Sequence, residues 1–579
     1  MAKRQFLAAS ALALGVLGAC VWADDNSTGV NGINSAGLGL TGKGIRIGQI
    51  EPGRPGIPGL DDAAHSNAFV TPVKAFITTT EVSAANKNLN TSTDDHATRV
   101  AGVMIAKDSG KNAAPRSVSP GASLYSGADA TAPLTDTVLT AQNIAAQGVR
   151  ATNWSYGITG GTVKPDGKSL PTQFTEYSSR KDNILYVVAG DETGVTKSAP
   201  SDGFNRINVG FTKAVGGVFN QTDADNVFTI TDDGRREVDI LAPGRDITMP
   251  SLGDVGGVPN KQVRSGTSYA APHVTGTVAL LQEFAEARIG NTPRWDADAR
   301  DHFVMKAVLM NSADKVRDDG TFIFNGNAVA KGGLLGMEKT IVDTAGTSNW
   351  TQTDAFIGNA AQKATTLPLA LEFGTGQLNA SRALTQFRTG EYDAFGLGVV
   401  PTIGWDSGQI GGNGAAHRYQ FDTALVASSF VSITLAWDKF VDLKDFGADG
   451  KEGTGDAGEG DGVFTTGESF DDKGLTDLDL YLLPKGSQNI NDRIWASRSG
   501  FGGSTSYSVE HIFFQIPKKG EYEFWVQSPG ALAGPGNQFY GVAWWGLGVP
   551  EPSTIVMVVV GVGCLLVGHR CKRKPAILA

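Results

Sequence analysis

Three short blocks carry residue types that can cleave an acyl bond. The first is Ser265-Gly266-Thr267-Ser268-Tyr269-Ala270-Ala271-Pro272-His273. It sets Ser268 at the start of a helix of small residues. Backbone N–H donors and the positive end of the helix dipole there favour an oxyanion forming beside the hydroxyl. Gly266 allows close substrate approach, the alanines let the helix cross a packed core, and Pro272 is expected in the first turn, where its missing N–H costs little. The second block is Asp94-Asp95-His96-Ala97-Thr98-Arg99-Val100-Ala101-Gly102. A histidine ahead of a small-residue helix can enter a cleft, and His96 is read as a general base. The third is Gly44-Ile45-Arg46-Ile47-Gly48-Gln49-Ile50-Glu51-Pro52-Gly53, an alternating strand ending in a carboxylate, as an acid at the C-terminal edge of a sheet should. His273 lies five residues beyond Ser268 and faces away from it on a helix.

The elements that must hold these blocks follow from periodicity. Strand-like runs at 45–50, 149–152, 184–188, 207–209 and 238–241 alternate with helical patterns at 96–106, 135–146 and 268–288. Alternation of this kind predicts an α/β fold, a parallel sheet with helices on both faces, over residues 38–390. Beyond about Ala394 the pattern changes to strands without helices, at 430–437, 478–483, 509–516 and 522–527, which predicts an all-β sandwich over 395–546. The Gly- and Asp-rich stretch 447–462 reads as a loop insertion within it.

Composition narrows the function classes. The chain has 579 residues, too many for one core, and at 41% hydrophobic and 19% charged it is not a disordered polymer. Its net charge is −10, and removing the six positive charges of the two terminal segments takes the remainder to −16. An acidic body of this kind disfavours nucleic-acid binding. The three cysteines, Cys20, Cys564 and Cys571, lie in or beside those segments, so disulfides, Cys-based zinc and thiol nucleophiles are excluded for the body.

Both ends read as addresses. Residues 1–23 combine Lys3-Arg4, an apolar run and small residues, the pattern of a secretory signal peptide; Leu17-Gly18-Ala19-Cys20 also resembles a lipoprotein box with Cys20 lipidated, but Val21-Trp22-Ala23 suits ordinary cleavage and favours the plain signal peptide. At the other end, Val549-Pro550-Glu551-Pro552-Ser553-Thr554 is followed by fourteen apolar residues and then His569-Arg570-Cys571-Lys572-Arg573-Lys574. An apolar stretch before a basic cluster is a stop-transfer pattern, though shorter than the ~20 residues of a full span. Over 549–579 the three parts resemble the bacterial PEP-CTERM sorting signal, which implies an exosortase-type sorting enzyme as partner. The expected location is the bacterial cell surface or exterior, with membrane anchoring through a C-terminal transmembrane segment before processing.

Carboxylate, histidine and serine in the order Glu51, His96, Ser268 is the chain order of the subtilisin triad. Over residues 38–387 the sequence resembles the subtilisin-like serine peptidases. Further blocks match in order: 149–157, ending Asn153-Trp154-Ser155-Tyr156-Gly157; 187–194 (Val-Val-Ala-Gly-Asp-Glu-Thr-Gly); 238–244; and 374–379. The resemblance implies Ser268 as nucleophile, His96 as base and then acid, and Glu51 as the residue that orients His96. It also implies Ser155, Tyr156 and Gly157 as substrate-cleft strand and Asp191 at the oxyanion position. The expected activity is hydrolysis of polypeptide substrates by an exported serine endopeptidase through an acyl-enzyme, with no cofactor needed for the chemistry. Departures from the family pattern are Glu51 for aspartate, Ala97 for glycine, Arg99 for histidine and Asp191 for asparagine. They keep open a second reading, a catalytically degenerate subtilase fold retained as a surface binding or structural protein. Asp61, Asp62, Asp94 and Asp95 are alternative triad acids. The segment between Ala23 and Leu38 is too short for the inhibitory prodomain of many relatives, and the C-terminal sandwich resembles the β-domain that follows many secreted subtilases.

One acidic loop suggests a structural Ca2+ site. With Asp461 at position 5 of an EF-hand-like loop, Gly462 falls at position 6 and Glu468 at position 12, while Glu459 and Asp471 lie nearby. Position 1 would be Ala457, so the motif is incomplete, and a solvated acidic loop remains the alternative.

Overall fold

The computed structural model describes residues 26–548 apart from 71–72, 76–90, 110–111, 130–132, 161–162, 193–197, 224, 226–230, 232–236, 256–257, 315–320, 325–326, 331–373, 395–397, 448, 452, 457 and 498–506. The segments read as export and sorting signals, 1–23 and 549–579, lie outside the described residues. Among the described residues no helix is long and apolar enough to cross a membrane.

The expected α/β fold is present. Eight strands form one sheet: β1 (Arg46–Glu51), β2 (Val73–Ala75), β3 (Ser123–Ala128), β4 (Ala151–Trp154), β5 (Leu185–Ala189), β6 (Arg206–Val215), β7 (Val218–Thr222) and β8 (Ile240–Pro243). Their order is β2-β3-β1-β4-β5-β6-β7, with β8 also on β6, and only the β6–β7 pairing is antiparallel. Helices α1 (Asp95–Ile105), α2 (Leu134–Ala145), α3 (Leu170–Asp182), α4 (Thr267–Glu286) and α5 (His302–Asn311) cover it. A hairpin of β9 (Ile247–Val255) and β10 (Val258–Arg264) leads into α4, and a short hairpin of β11 (Thr321–Phe324) and β12 (Asn327–Ala330) follows α5. Strand β5 shows why the sheet is covered on both sides. Leu185, Val187 and Ala189 join the core of α4 and α5, while Tyr186 and Val188 join that of α2 and α3, as alternation of side chains requires.

Helix α3 has no counterpart among the sequence expectations, because its sequence is largely polar. Its ends are nonetheless marked: Ser169 caps it by accepting from the Thr172 N–H, Pro171 sits in the first turn, and Asn183 closes it in the left-handed region at φ 53°.

After α6 (Ala380–Phe387) the described elements are strands, apart from one 3-10 turn at Ile490–Asp492: β13 (Val399–Val400), β14 (Ile403–Ile410), β15 (Ala415–Phe421), β16 (Phe430–Trp437), β17 (Phe440–Lys444), β18 (Ser469–Gly474), β19 (Asp479–Pro484), β20 (Trp495–Ser497), β21 (Val509–Gln515), β22 (Tyr522–Ser528) and β23 (Gln538–Trp545). The sheets β13-β15-β22-β19-β20 and β14-β23-β16-β21 face each other across one core, with Tyr419, Phe524 and Leu482 from the first against Ile433, Val542 and Trp544 from the second. Hairpin β17–β18 leaves the sandwich and lies on α3.

The two parts share a core. Trp405, Ala436, Val509 and Ala543 of the sandwich belong to the same buried cluster as Val304, Val308 and Leu309 of α5. The approach is close enough that a Cβ on Gly541 would lie 2.7 Å from the Phe303 carbonyl oxygen. At the edge of this seam His302 Nε2 lies 2.9 Å from Asp438, and both side chains are buried. His302 Nδ1 lies 2.9 Å from Asn183 Oδ1, which also accepts the His302 backbone N–H at 2.8 Å. Both ring nitrogens thus face acceptors. Removing Asp438 leaves the buried His302 Nε2 without its partner, so Asp438→Ala is expected to cost about 1–3 kcal/mol in urea unfolding of the whole chain.

Candidate active site

The carboxylate comes from the last residue of β1. Glu51 is fully buried, and its Oε2 lies 2.8 Å from His96 Nδ1. His96 stands in the first turn of α1, where Asp94 acts as N-cap by accepting the Ala97 N–H at 2.7 Å. Burial pushes the Glu51 carboxyl above its ordinary range, against the pull of His96 and of the Ser155 backbone amide. Burial works against a charged His96, but the Glu51 carboxylate outweighs it, so the ring ends above its ordinary value. The alternative acids are used elsewhere: Asp61 pairs with Arg54, Asp62 with His65, Asp94 caps α1, and Asp95 pairs with Arg99 and accepts from Ser251 Oγ.

Ser268 is the second residue of α4, and it lines with His96 a cleft of about 330 Å³ that also includes Ser155, Tyr156, Gly157, Asp191 and Glu192. Its hydroxyl donates to the Ser155 carbonyl at 3.0 Å. The Tyr269 ring lies beside the His96 imidazole at 5.6 Å between centroids. Pro272 does not fall in the first turn as expected; it is the sixth residue of the helix. Its missing N–H would have bonded to the carbonyl four residues back, which is that of Ser268. That freed oxygen instead accepts the Ser155 hydroxyl at 2.9 Å. Ser155 and Ser268 are therefore joined by two reciprocal hydrogen bonds. His273 faces away, as expected: it is fully buried, bonds the Tyr269 carbonyl, and burial pushes it down to about 4.

Asp191 follows β5, and its backbone N–H donates to Glu237 Oε1 at 2.8 Å. Oδ1 accepts the Ser198 hydroxyl at 2.7 Å, and Oδ2 is buried with no partner among the described residues. Burial pushes the carboxyl up to about 6, with Ser198 holding it down and Asp202 adding to the rise. A Cβ on Gly157 would lie 2.2 Å from Ser198 Oγ, so glycine there keeps Ser198 against Asp191. Sequence reasoning gave no role to Glu192, yet its carboxylate accepts from both the backbone N–H and the hydroxyl of Thr267, at the N-terminus of α4. Its place beside Asp191 in the 187–194 block was the available signal.

The acids of the suggested calcium loop do not converge. Glu459 accepts from the Gly453 and Gly455 amides, Glu468 from the Gly447 and Thr465 amides, Asp461 from the Val463 amide, and Asp471 pairs with Lys473. The glycine-rich turns supply N–H donors that occupy the carboxylates an ion would need. Among the described residues only Asp296, Asp298 and Glu391 bring three carboxylates within reach of one point.

A parallel sheet carrying serine, histidine and carboxylate at one cleft agrees with the family comparison. The model of the subtilase family matches residues 42–331, half of the chain, and the chain belongs to that family of serine proteases. Among solved structures it is similar to the MycP3 protease from the type VII (ESX-3) secretion system, at 18% identity over 62% of this chain and 87% of that one, with TM-score 0.38. It is also similar to the self-cleaved protease domain of PatA, at 20% identity over 61% and 100% with TM-score 0.37. A third is a cold adapted subtilisin-like serine proteinase, at 16% identity over 48% and 84% with TM-score 0.32. No curated protein matches the chain.

The link between Ser155 and Pro272 is testable by a double-mutant cycle. Ser155→Ala should cost about 1 kcal/mol of stability in the wild-type background. In Pro272→Ala, where residue 272 regains an N–H for the Ser268 carbonyl, the same change should cost markedly less, as measured by urea denaturation.

Proposed function

We propose that the protein is an exported serine endopeptidase that hydrolyses peptide bonds through an acyl-enzyme. The observation that carries this reading is the 2.8 Å contact of Glu51 with His96 in the cleft that also holds Ser268. In the proposed reaction a bound peptide draws the Ser268 hydroxyl from the Ser155 carbonyl toward His96 Nε2. His96 accepts its proton as Oγ attacks the scissile carbonyl, and then returns it to the leaving amine. Glu51 holds the ring through Nδ1 and stabilises its charged form. Water repeats the sequence to release the acyl group. Protonated Asp191 donates to the oxyanion, alongside the backbone donors at the start of α4.

The terminal segments support the wider reading. The signal at 1–23 directs export, and the 549–579 segment holds the protein at the membrane until an exosortase-type enzyme processes it at the cell surface.

A fluorophosphonate probe tests the chemistry. Wild-type protein is expected to be labelled, and Ser268→Ala is not. Absence of Ser268-dependent labelling from mildly acidic to mildly alkaline pH would leave the degenerate surface protein as the reading.

The pH dependence has a definite sign. His96 must be neutral to act as base, and its pKa is raised, so activity grows as pH rises through a value above the ordinary 6.5. Asp191 must be protonated to donate, so activity falls as pH rises through about 6. These windows oppose each other, so the reactive form is a minor fraction of the enzyme at any pH. Asp191→Asn, which donates at every pH, is expected to raise kcat/KM about tenfold and to abolish the alkaline limb of its pH profile.

A further inference from the structure

Asp129 belongs to none of the three sequence blocks, yet it stands where β1, α2 and the cleft meet. It follows β3 and is fully buried. Its backbone N–H donates to the carbonyl of Glu51 at 2.9 Å, which fixes the end of the strand carrying the triad acid. Its Oδ2 accepts the Thr137 hydroxyl of α2 at 2.9 Å and also the Tyr156 hydroxyl. Tyr156 has a half-exposed ring in the cleft, packed 5.6 Å from Trp154, and its hydroxyl reaches inward. Burial and the negative charge of Asp129 push the phenol far above its ordinary range, so the hydroxyl stays a donor.

The chain of contacts continues from Tyr156 to the chemistry. Its neighbour Ser155 bonds reciprocally with Ser268, and the Ser155 amide helps hold the Glu51 carboxylate. A two-point hold on one segment, at the Tyr156 hydroxyl and at Ser155, fixes both its position and its tilt. Losing the first point leaves Ser155 anchored but frees the cleft wall beside it.

We propose that Asp129 is a positioning residue for the peptidase reaction, setting through Tyr156 the cleft wall Ser155–Gly157 against which a peptide lies. This rests on the endopeptidase reading, and it concerns binding of extended chains more than the chemical step. Asp129→Asn keeps an acceptor oxygen for Tyr156, whereas Asp129→Val removes it at similar size.

For internally quenched peptides that span the cleft, Asp129→Val is expected to raise KM roughly tenfold with kcat changed much less, consistent with loss of one charge-assisted hydrogen bond. Tyr156→Phe should reproduce that shift, and Asp129→Asn should recover most of the wild-type KM. Binding is read independently of turnover by fluorescence anisotropy of fluorescein-labelled casein on Ser268→Ala protein. Adding Asp129→Val there should weaken binding by a similar factor. If wild type is unlabelled by fluorophosphonate but the anisotropy difference persists, the endopeptidase reading fails and the positioning role of Asp129 stands. If Asp129→Val lowers kcat and melting temperature while KM and casein affinity stay unchanged, Asp129 is structural only and the proposal is overturned. Equal KM in Asp129→Asn and Asp129→Val overturns it as well.

Discussion

The cleft end of this molecule depends on keeping one carboxylate without water. Glu51 is fully buried at the end of β1, and an ion in that position costs several kcal/mol unless it is paired and hydrogen-bonded. His96 supplies the pair, and the chain around it is built to bring the imidazole there. Just after Glu51 the chain is tied to the segment ahead of α1, with Arg54 N–H donating to the Ser92 carbonyl and Asp94 N–H to the Arg54 carbonyl. Asp94 then caps α1, so the helix begins at the point where its second residue meets Glu51. The end of β1 is itself held by the Asp129 amide, which donates to the Glu51 carbonyl.

A second constraint acts at α5. A helix with every residue buried must be covered on all sides, and the α/β sheet covers only one of them. The β14-β23-β16-β21 sheet supplies the other cover, which is why sandwich residues enter the same core as β5 and β6. The seam therefore resembles a domain interior more than a transient contact. Hairpin β17–β18 extends the attachment to α3, where Arg180 stacks over the Phe440 ring at 3.3 Å and donates to the Val441 carbonyl at 2.9 Å. The sandwich is thus part of what holds the sheet rigid beneath the cleft.

What the sequence made legible was local. Ser268, His96 and Glu51 each sit in a contiguous block whose neighbours dictate a helix start or a strand end, and strands and helices near them fall within a few residues of expectation. Two kinds of feature escaped. Helix α3 is polar and is marked only by its caps, and α5 is buried on every face with His302, Lys306 and Asn311 set among its apolar residues, so neither shows a clear amphipathic period. Asp129 and the Ser155–Ser268 link depend on contacts between segments far apart in the chain. Pro272 is instructive: its position in the helix was misjudged by one turn, and that turn creates the free carbonyl on which Ser155 docks. The acidic loop differs in another way. A high density of carboxylates can be satisfied by glycine amides, which composition does not reveal.

The cleft is negative, and on the proposed mechanism this matters more than any one substitution. Glu51, Asp94, Asp191 and Glu192 lie in or beside it. The Glu51 carboxylate favours a proton on His96, and burial favours one on Asp191. With the proton on His96, the imidazolium keeps the buried Glu51 carboxylate paired. With it on Asp191, the oxyanion position is neutral but Glu51 loses its charged partner, which opposes the transfer. A peptide that displaces water raises the cost of an ionised Asp191 and of an unpaired Glu51 alike. On the proposed mechanism the reactive form needs His96 neutral and Asp191 protonated, so the Glu51–His96 pair that positions the base also works against the carboxylate at the oxyanion position.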